Sequence, residues 1–273
     1  MTTTERPRFN ADLGVDFAPE YRPSAVVTRR ASTPSDFGAW LEVCQKYFPD
    51  TARLTVDYIQ EQARDSRQVQ SQFWMMEEEG ALVGIRWTVH IPGSSVASGI
   101  YGVVEEAYRG GGRYPRLMQE SESFLIGRGA KIITIECADP FSQSDSVEKR
   151  KAVGRIRYFT DHGYFFVDPS RVRYYRPDPN PNRPDFAETV QSGFVFGFKP
   201  LGDASEFLDF KQGTPILYKS RFMGLYLAFV HLDTDVDVDT LRTHFRAVTA
   251  EFEEVSRINA PNVPLWDPAV VSQ

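Results

Sequence analysis

The segment Tyr108-Arg109-Gly110-Gly111-Gly112-Arg113-Tyr114-Pro115 joins an expected strand to an expected helix. Before it lies VASGIYGVVE (96–105), β-branched toward its end; after it Leu117, Met118, Ser121, Phe124, Leu125 and Arg128 recur at helical spacing. Pro115 suits the first turn of a helix, where its missing N–H is no loss, and Gly129 stops that helix. Three successive glycines remove every Cβ from the connection, so consecutive amides can converge on one anion while the helix dipole adds to their pull. The Lys-Ser/Thr ending of a nucleoside triphosphatase loop is missing, and Pro115 breaks the G-x-G-x-x-G spacing. The loop reads as a holder of pyrophosphate rather than a cleaver of it, with a tight, ligand-free strand-to-helix turn as the alternative.

Working outward toward the N-terminus, SQFWMMEE (71–78) and ALVGIRWTVHI (81–91) read as two strands joined through Glu79-Gly80. AVVTRRA (25–31) is a further strand, followed by a helix capped at Thr33 or Ser35 and running to about Phe48, with Phe37, Trp40, Leu41 and Cys44 on one face. A short helix fits Thr55 to Arg64. Toward the C-terminus come a strand, KIITIEC (131–137), a helix from Val147 to His162, a return strand, GYFFVD, and one more strand, RVRYYRPD. Pro177, Pro179, Pro181 and Pro184 then mark a linker. Four parts are expected: a flexible arm (1–24), an α/β domain (25–176), the proline-rich linker (177–185) and a C-terminal α+β extension (186–273). The extension holds the apolar runs ILYKSRF and GLYLAFVHL and ends in a helix over about 238–258.

The composition of the 273 residues, 41% apolar and 25% charged, is that of a globular chain. Cys44 and Cys137 give neither a disulfide framework nor a cysteine-rich metal knuckle, so a reduced, cytoplasmic setting and no metal are expected. No apolar run reaches the ~18 residues of a spanning helix, and the N-terminus lacks the apolar stretch of a signal peptide. Lys plus Arg number 31 against 37 Asp plus Glu, a net charge of -6, which disfavours nucleic acid as a partner.

The order of elements together with this loop resembles the GNAT superfamily of N-acyltransferases, whose loop runs Arg/Gln-x-x-Gly-x-Gly/Ala. Arg109-Gly110-Gly111-Gly112-Arg113-Tyr114 matches its first four positions. Gly80-Ala81-Leu82-Val83-Gly84 looks like the family's third-strand entry, Gly127-x-Gly129 like the end of its helix, and His162-Gly163-Tyr164 like its Leu-Gly-Phe ending. The resemblance covers roughly residues 25 to 168. It implies a mixed, splayed central sheet flanked by helices, in which strands 96–105 and 131–137 part to admit the pantetheine arm of an acyl thioester. Val103 and Val104 would bind that arm, and the amides of Gly110, Gly111, Gly112, Arg113 and Tyr114, with Arg109, would hold the pyrophosphate. The donor implied is acetyl-CoA or another acyl-CoA, or the phosphopantetheine of an acyl carrier protein docked on Arg109, Arg113, Arg116 and Arg128. The acceptor implied is a small-molecule amine attacking directly in a ternary complex, and the extension would shape its pocket or a homodimer interface.

Three positions depart from that pattern. Tyr114 replaces the loop's last small residue, Phe159 takes the place of the acid tyrosine, with Tyr158 about 100° around the helix, and Ser98 and Ile100 stand where a strand base is common. A thiol with a pKa of about 8.5 leaves tolerably without an acid, at a cost of about 10²-fold. A lysine-like amine must lose a proton at a cost of about 4.6 kcal/mol at pH 7, against about 1.4 for an α-amine. Either the acceptor is weakly basic or a base comes from elsewhere, with Glu105, Glu136, His90 and His231 as candidates; Tyr158 is the candidate acid. A catalytically degenerate scaffold on the same fold, or a thioester hydrolase or decarboxylase, are the alternative functions.

Overall fold

The computed structural model describes residues 26–64, 69–169, 175–177, 189–191, 193–211, 214–218, 221–222, 224–225 and 265–266. The expected arm (1–24), the linker beyond Pro177, the terminal helix over 238–258 and His231 lie outside the described residues.

β1 (Val26–Arg30) leads into α1 (Pro34–Tyr47) through a complete capping box: Thr33 Oγ1 accepts from the Asp36 amide while the Asp36 carboxylate accepts from the Thr33 amide. The same carboxylate takes a 2.7 Å bond from Arg29, whose guanidinium holds it well below the usual carboxylate range. The apolar stripe of α1, Phe37, Trp40, Leu41 and Cys44, together with Ile59 of α2 (Val56–Ala63), packs on Phe73, Met75, Ile85, Trp87 and Val89. These last residues alternate along β2 (Gln70–Glu78) and β3 (Ala81–His90) and so face one side of the sheet. The hairpin between the two strands turns at Glu79 (φ 53°) and Gly80 (φ 82°), the two left-handed residues of a type I′ turn.

β4 (Val96–Val104), α3 (Arg113–Gly127), β5 (Ile132–Ala138), α4 (Ser146–Asp161) and β6 (Phe165–Phe166) follow in the predicted order. α3 starts two residues before Pro115 and closes at Gly129 (φ 92°), where the Ala130 amide reaches back to the Leu125 carbonyl. α4 is capped by Asp145 and ends at Gly163 (φ 86°). Leu117 of α3 packs with Trp74, Met76 and Val83; Met118 and Leu125 pack with Ile156 and Phe159 of α4 and with Ala97, Ile133 and Ile135 of the sheet. The two helix pairs therefore cover opposite faces.

The seven-stranded sheet runs β1-β2-β3-β4-β5-β9-β6, with β4 and β5 its only parallel neighbours. β9 (Phe194–Pro200) belongs to the part of the chain expected as an extension beyond the linker, and that expectation is corrected here. It is a central strand, paired antiparallel to the whole of β5, from Ile132↔Pro200 to Ala138↔Phe194. Phe196 and Phe198 are buried, and Gly197 gives room to the Phe166 ring of β6. Between β6 and β9, β7 (Tyr175–Pro177) and β8 (Thr189–Gln191) form a separate two-stranded ladder, so the described part of the strand read at RVRYYRPD, residues 175–177, pairs outside the main sheet. After β9, the hairpin of β10 (Leu208–Lys211) and β11 (Thr214–Leu217) brings Leu208 and Leu217, with Phe222 and Leu225, onto Ile132, Phe196 and Phe198. Residues 265–266 line the free edge of β6 through a Val167↔Leu265 bridge and a 2.8 Å bond from the Trp266 amide to the Phe166 carbonyl. Among the described residues no helix is long and apolar enough to cross a membrane.

Candidate functional site

β4 and β5 are zipped for only four residues, from Val96↔Ile132 to Gly99↔Ile135, and then part. A bulge in β4 causes this: Trp87 pairs with Tyr101 and Thr88 with Gly99, leaving Ile100 inserted, and such an insertion bends and twists the strand that carries it. Below the fork the Ser98 and Thr134 hydroxyls meet at 2.6 Å and clasp the two strands, so Ser98 is a fastener and Ile100 the bulge. Above it β4 stays with β3 and β5 stays with β9.

The Glu105 amide donates to the Val83 carbonyl at 2.8 Å, which fixes the alternation of the ladder. Residues 105, 103 and 101 turn their amides and carbonyls to β3, while Val104 and Gly102 turn theirs into the gap. Of the two valines expected to bind a pantetheine arm, Val104 turns its backbone groups into the gap and Val103 turns its own toward β3. Gly102 takes its place, and the Val104 carbonyl already accepts from Arg109 Nε at 3.3 Å.

Gly110, Gly111 and Gly112 have φ of 92°, 58° and 73° and are exposed; Gly112 caps α3. Three consecutive left-handed residues are open only to glycine at low cost. The amides of Gly110, Gly111, Gly112 and Tyr114 donate to no acceptor among the described residues, whereas Arg113 donates to the Gly110 carbonyl at 3.4 Å. The basic cluster expected around this loop is dispersed. Arg113 makes a paired contact with Glu78 at 2.7 and 2.8 Å, Arg109 lies 3.7 Å from Glu106, and Arg128 reaches Gln70 and the Phe124 ring. Arg116 is exposed on the first turn of α3.

Tyr114 points away from the loop and into the gap. Its ring lies 5.8 Å from that of Tyr158 and 6.2 Å from that of Phe159, and its hydroxyl stands where a Cβ on Gly102 would be. Burial raises the pKa of that hydroxyl. The side chain that departs from the loop pattern thus fills the part of the gap that faces Gly102.

No family model matches the sequence, and no curated protein is similar to it. Solved structures do match. A protein from Bacteroides thetaiotaomicron, assigned as an acetyltransferase of the GNAT family, superposes with a TM-score of 0.51 at 14% identity, over 77% of this chain and 99% of its own. This is the GNAT fold. Lower-scoring matches include a GNAT acetyltransferase from Desulfovibrio desulfuricans (TM-score 0.45, 14% identity, 65% of this chain and 100% of that one). The PaiA N-acetyltransferase of Thermoplasma acidophilum, solved with coenzyme A, scores 0.45 at 11% identity over 64% and 99% of the two chains.

Within this GNAT fold the expected acid–base residues separate. Glu105, at the end of β4, accepts from Lys46 Nζ at 2.6 Å and from the Tyr47 hydroxyl at 2.7 Å, and the ammonium holds its carboxyl below the usual range. It is a strut between α1 and β4 and a poor proton acceptor. Glu136 sits one residue past the fork on β5, half-buried, and alternation from Ile135 and Cys137 puts it on the sheet face opposite Tyr114. His90 lies at the far end of β3, its Nε2 3.0 Å from the Ser94 carbonyl, and burial lowers its pKa. The Phe159 side chain is packed in the core. Tyr158, beside it, stacks on His162 at 4.3 Å and faces Tyr114; its hydroxyl is buried with no hydrogen-bond partner among the described residues, and burial raises its pKa. Burial pushes the Cys137 thiol up to about 12. Neither Cys137 nor Cys44, which is also buried, should therefore react with iodoacetamide at pH 8 until the chain is unfolded, a result read by intact-mass labelling with and without denaturant.

One constellation at the fork has no counterpart in the sequence reading. Arg86, in the middle of β3, is 2% exposed; its Nη1 donates to Ser121 at 3.0 Å and its Nη2 to the Tyr164 hydroxyl at 3.2 Å, with Glu122 at 3.5 Å. Tyr164 donates to Glu122 at 2.9 Å, and Lys199 of β9 reaches the other carboxylate oxygen at 2.7 Å. The available signal was a lone charge inside the apolar run ALVGIRWTVHI.

Proposed function

We propose that the chain is an acyltransferase that moves an acyl group from coenzyme A to a small-molecule amine. The carrying observation is the gap itself: Val104 and Gly102 turn backbone groups into it, and beside it lie the amides of Gly110, Gly111, Gly112 and Tyr114, which have no acceptor among the described residues. These residues fit the donor in its two halves. The amides at the start of α3 would take the pyrophosphate, where the dipole adds to them. The gap-facing amides of β4 would take the pantetheine and polarise the thioester carbonyl.

Attack is direct. A buried thiol with its pKa pushed to about 12 is no nucleophile, so Cys137 forms no acyl intermediate. The rate advantage then comes from holding amine and thioester together. Glu136, on the face away from the helices that hold the donor, is the candidate proton acceptor for an amine arriving from that side. A weakly basic acceptor suits this site, since about 1.4 kcal/mol deprotonates an α-amine at pH 7 against about 4.6 for a lysine.

Tyr114 favours a second reading, a non-catalytic scaffold whose slot is permanently filled. Thermal unfolding with acetyl-CoA separates the two. A donor present at 100 times its dissociation constant adds about 2.7 kcal/mol of stability, a rise in Tm of several degrees. No rise in the native protein and none after Tyr114→Gly would leave the scaffold standing.

A further inference from the structure

Arg86 is a permanent charge buried close to the fork, bonded to Ser121 and Tyr164 and 3.5 Å from Glu122. Among the described residues Glu122 offers one negative charge to two cations, Arg86 and Lys199, so the cluster they form is one positive charge in excess. The Lys199 side chain is 24% exposed and shares its charge with solvent, whereas that of Arg86 is 2% exposed. Burying an uncompensated guanidinium is costly unless something else meets it.

On the β4 side that guanidinium has glycines as its neighbours. Arg86 pairs across the ladder with Gly102, and its Nη2 lies 3.4 Å from where a Cβ on Gly99 would be. The two glycines lie on either side of the β4 bulge, and a side chain on Gly99 would press on the guanidinium. What stands over Gly102 is the Tyr114 hydroxyl. The field of Arg86 reaches both the Tyr114 and the Tyr158 hydroxyls, opposing the rise that burial imposes on them, and the Tyr158 hydroxyl has no partner among the described residues.

We propose that Arg86 is a catalytic residue that carries the charge of the leaving thiolate. This rests on the acyl-transfer reading. With Tyr114 turned aside, the sulfur end of the thioester occupies the space over Gly102. The amine nitrogen bonds to the carbonyl carbon, the C–S bond breaks, and its electron pair stays on sulfur beside the guanidinium. The proton lost by the amine goes to solvent through the base on the opposite face, and the thiolate takes its own proton from water on release. Phenylalanine at 159 is then no defect, because a thiol leaving group is stabilised by a fixed charge as well as by a proton. Fixed charges of this kind are worth about 10² to 10³ in rate.

The test titrates the thiol of bound coenzyme A by its thiolate absorbance. In the native protein it should ionise at about pH 7.5 or below, against about 8.5 for a free thiol. Arg86→Met should return it to the free value or above and lower kcat by about 100-fold with little change in KM. Glu122→Gln, which leaves the guanidinium less opposed, should lower it further, and this variant decides the matter if Arg86→Met does not fold. A bound thiol with the same titration in the native protein and in whichever variants fold overturns the role of Arg86. Failure of coenzyme A to bind either the native protein or Tyr114→Gly overturns the acyl-transfer reading instead.

Discussion

Tyr114→Gly should tighten the binding of acetyl-CoA by about 10- to 100-fold while making the protein less stable. The ring packs against Tyr158 and Phe159 and its hydroxyl covers Gly102, so a pantetheine arm entering the gap must first expel it. Burying a large side chain is worth about 1.5 to 3 kcal/mol, and each 1.4 kcal/mol removed from the cost of opening is tenfold in affinity. The same deletion leaves a cavity between α3 and α4, at about 2 to 4 kcal/mol of unfolding free energy. Calorimetric titration and urea unfolding of the two proteins read both effects. An affinity that stays the same or falls would mean that the ring does not compete for the site.

Gly111→Val should weaken acetyl-CoA binding by at least about 100-fold with only a modest loss of stability. Gly111 has φ 58°, and a Cβ there meets the guanidinium of Arg113, 2.9 Å from Nη1, which must shift slightly against its pairing with Glu78. The damage is conformational: a β-branched residue is driven out of the left-handed region, and the neighbouring amides lose their common direction. Two amide bonds to a charged phosphate, at about 1.5 to 3 kcal/mol each, account for the predicted loss. Gly112→Ala is the milder control, since nothing lies within 4 Å of its Cβ position and only the φ of 73° opposes it. Full affinity in Gly111→Val would place the phosphates elsewhere.

Local chemistry made much of this legible. The cap at Thr33, one of the two residues read for it, the turn at Glu79-Gly80, the helix with Pro115 in its first turn and its stop at Gly129 rest on residues within a few positions of one another, and the structure has all four. The parting of β4 and β5 was expected from the family resemblance; its cause, an extra residue at Ile100, leaves no mark in the strand's own composition because a bulge is a mismatch with a partner. Glu105 looked like an available base because Lys46 and Tyr47, which neutralise it, lie nearly sixty positions away. Tyr158 was read as one place off the acid's position. The helix does turn it aside, yet Tyr114 comes far enough into the gap to meet it.

The sequence by itself determined the succession of elements and the left-handed run of three glycines, because capping, periodicity and the absence of a Cβ act within one or two turns of chain. Only the tertiary structure decided that β9 lies between β5 and β6, that Val104 and Gly102 rather than Val103 face the gap, and that Arg86 ends beneath two glycines of β4. Each of these depends on which strand or helix lies opposite, and a residue's charge or shape carries no record of its partner.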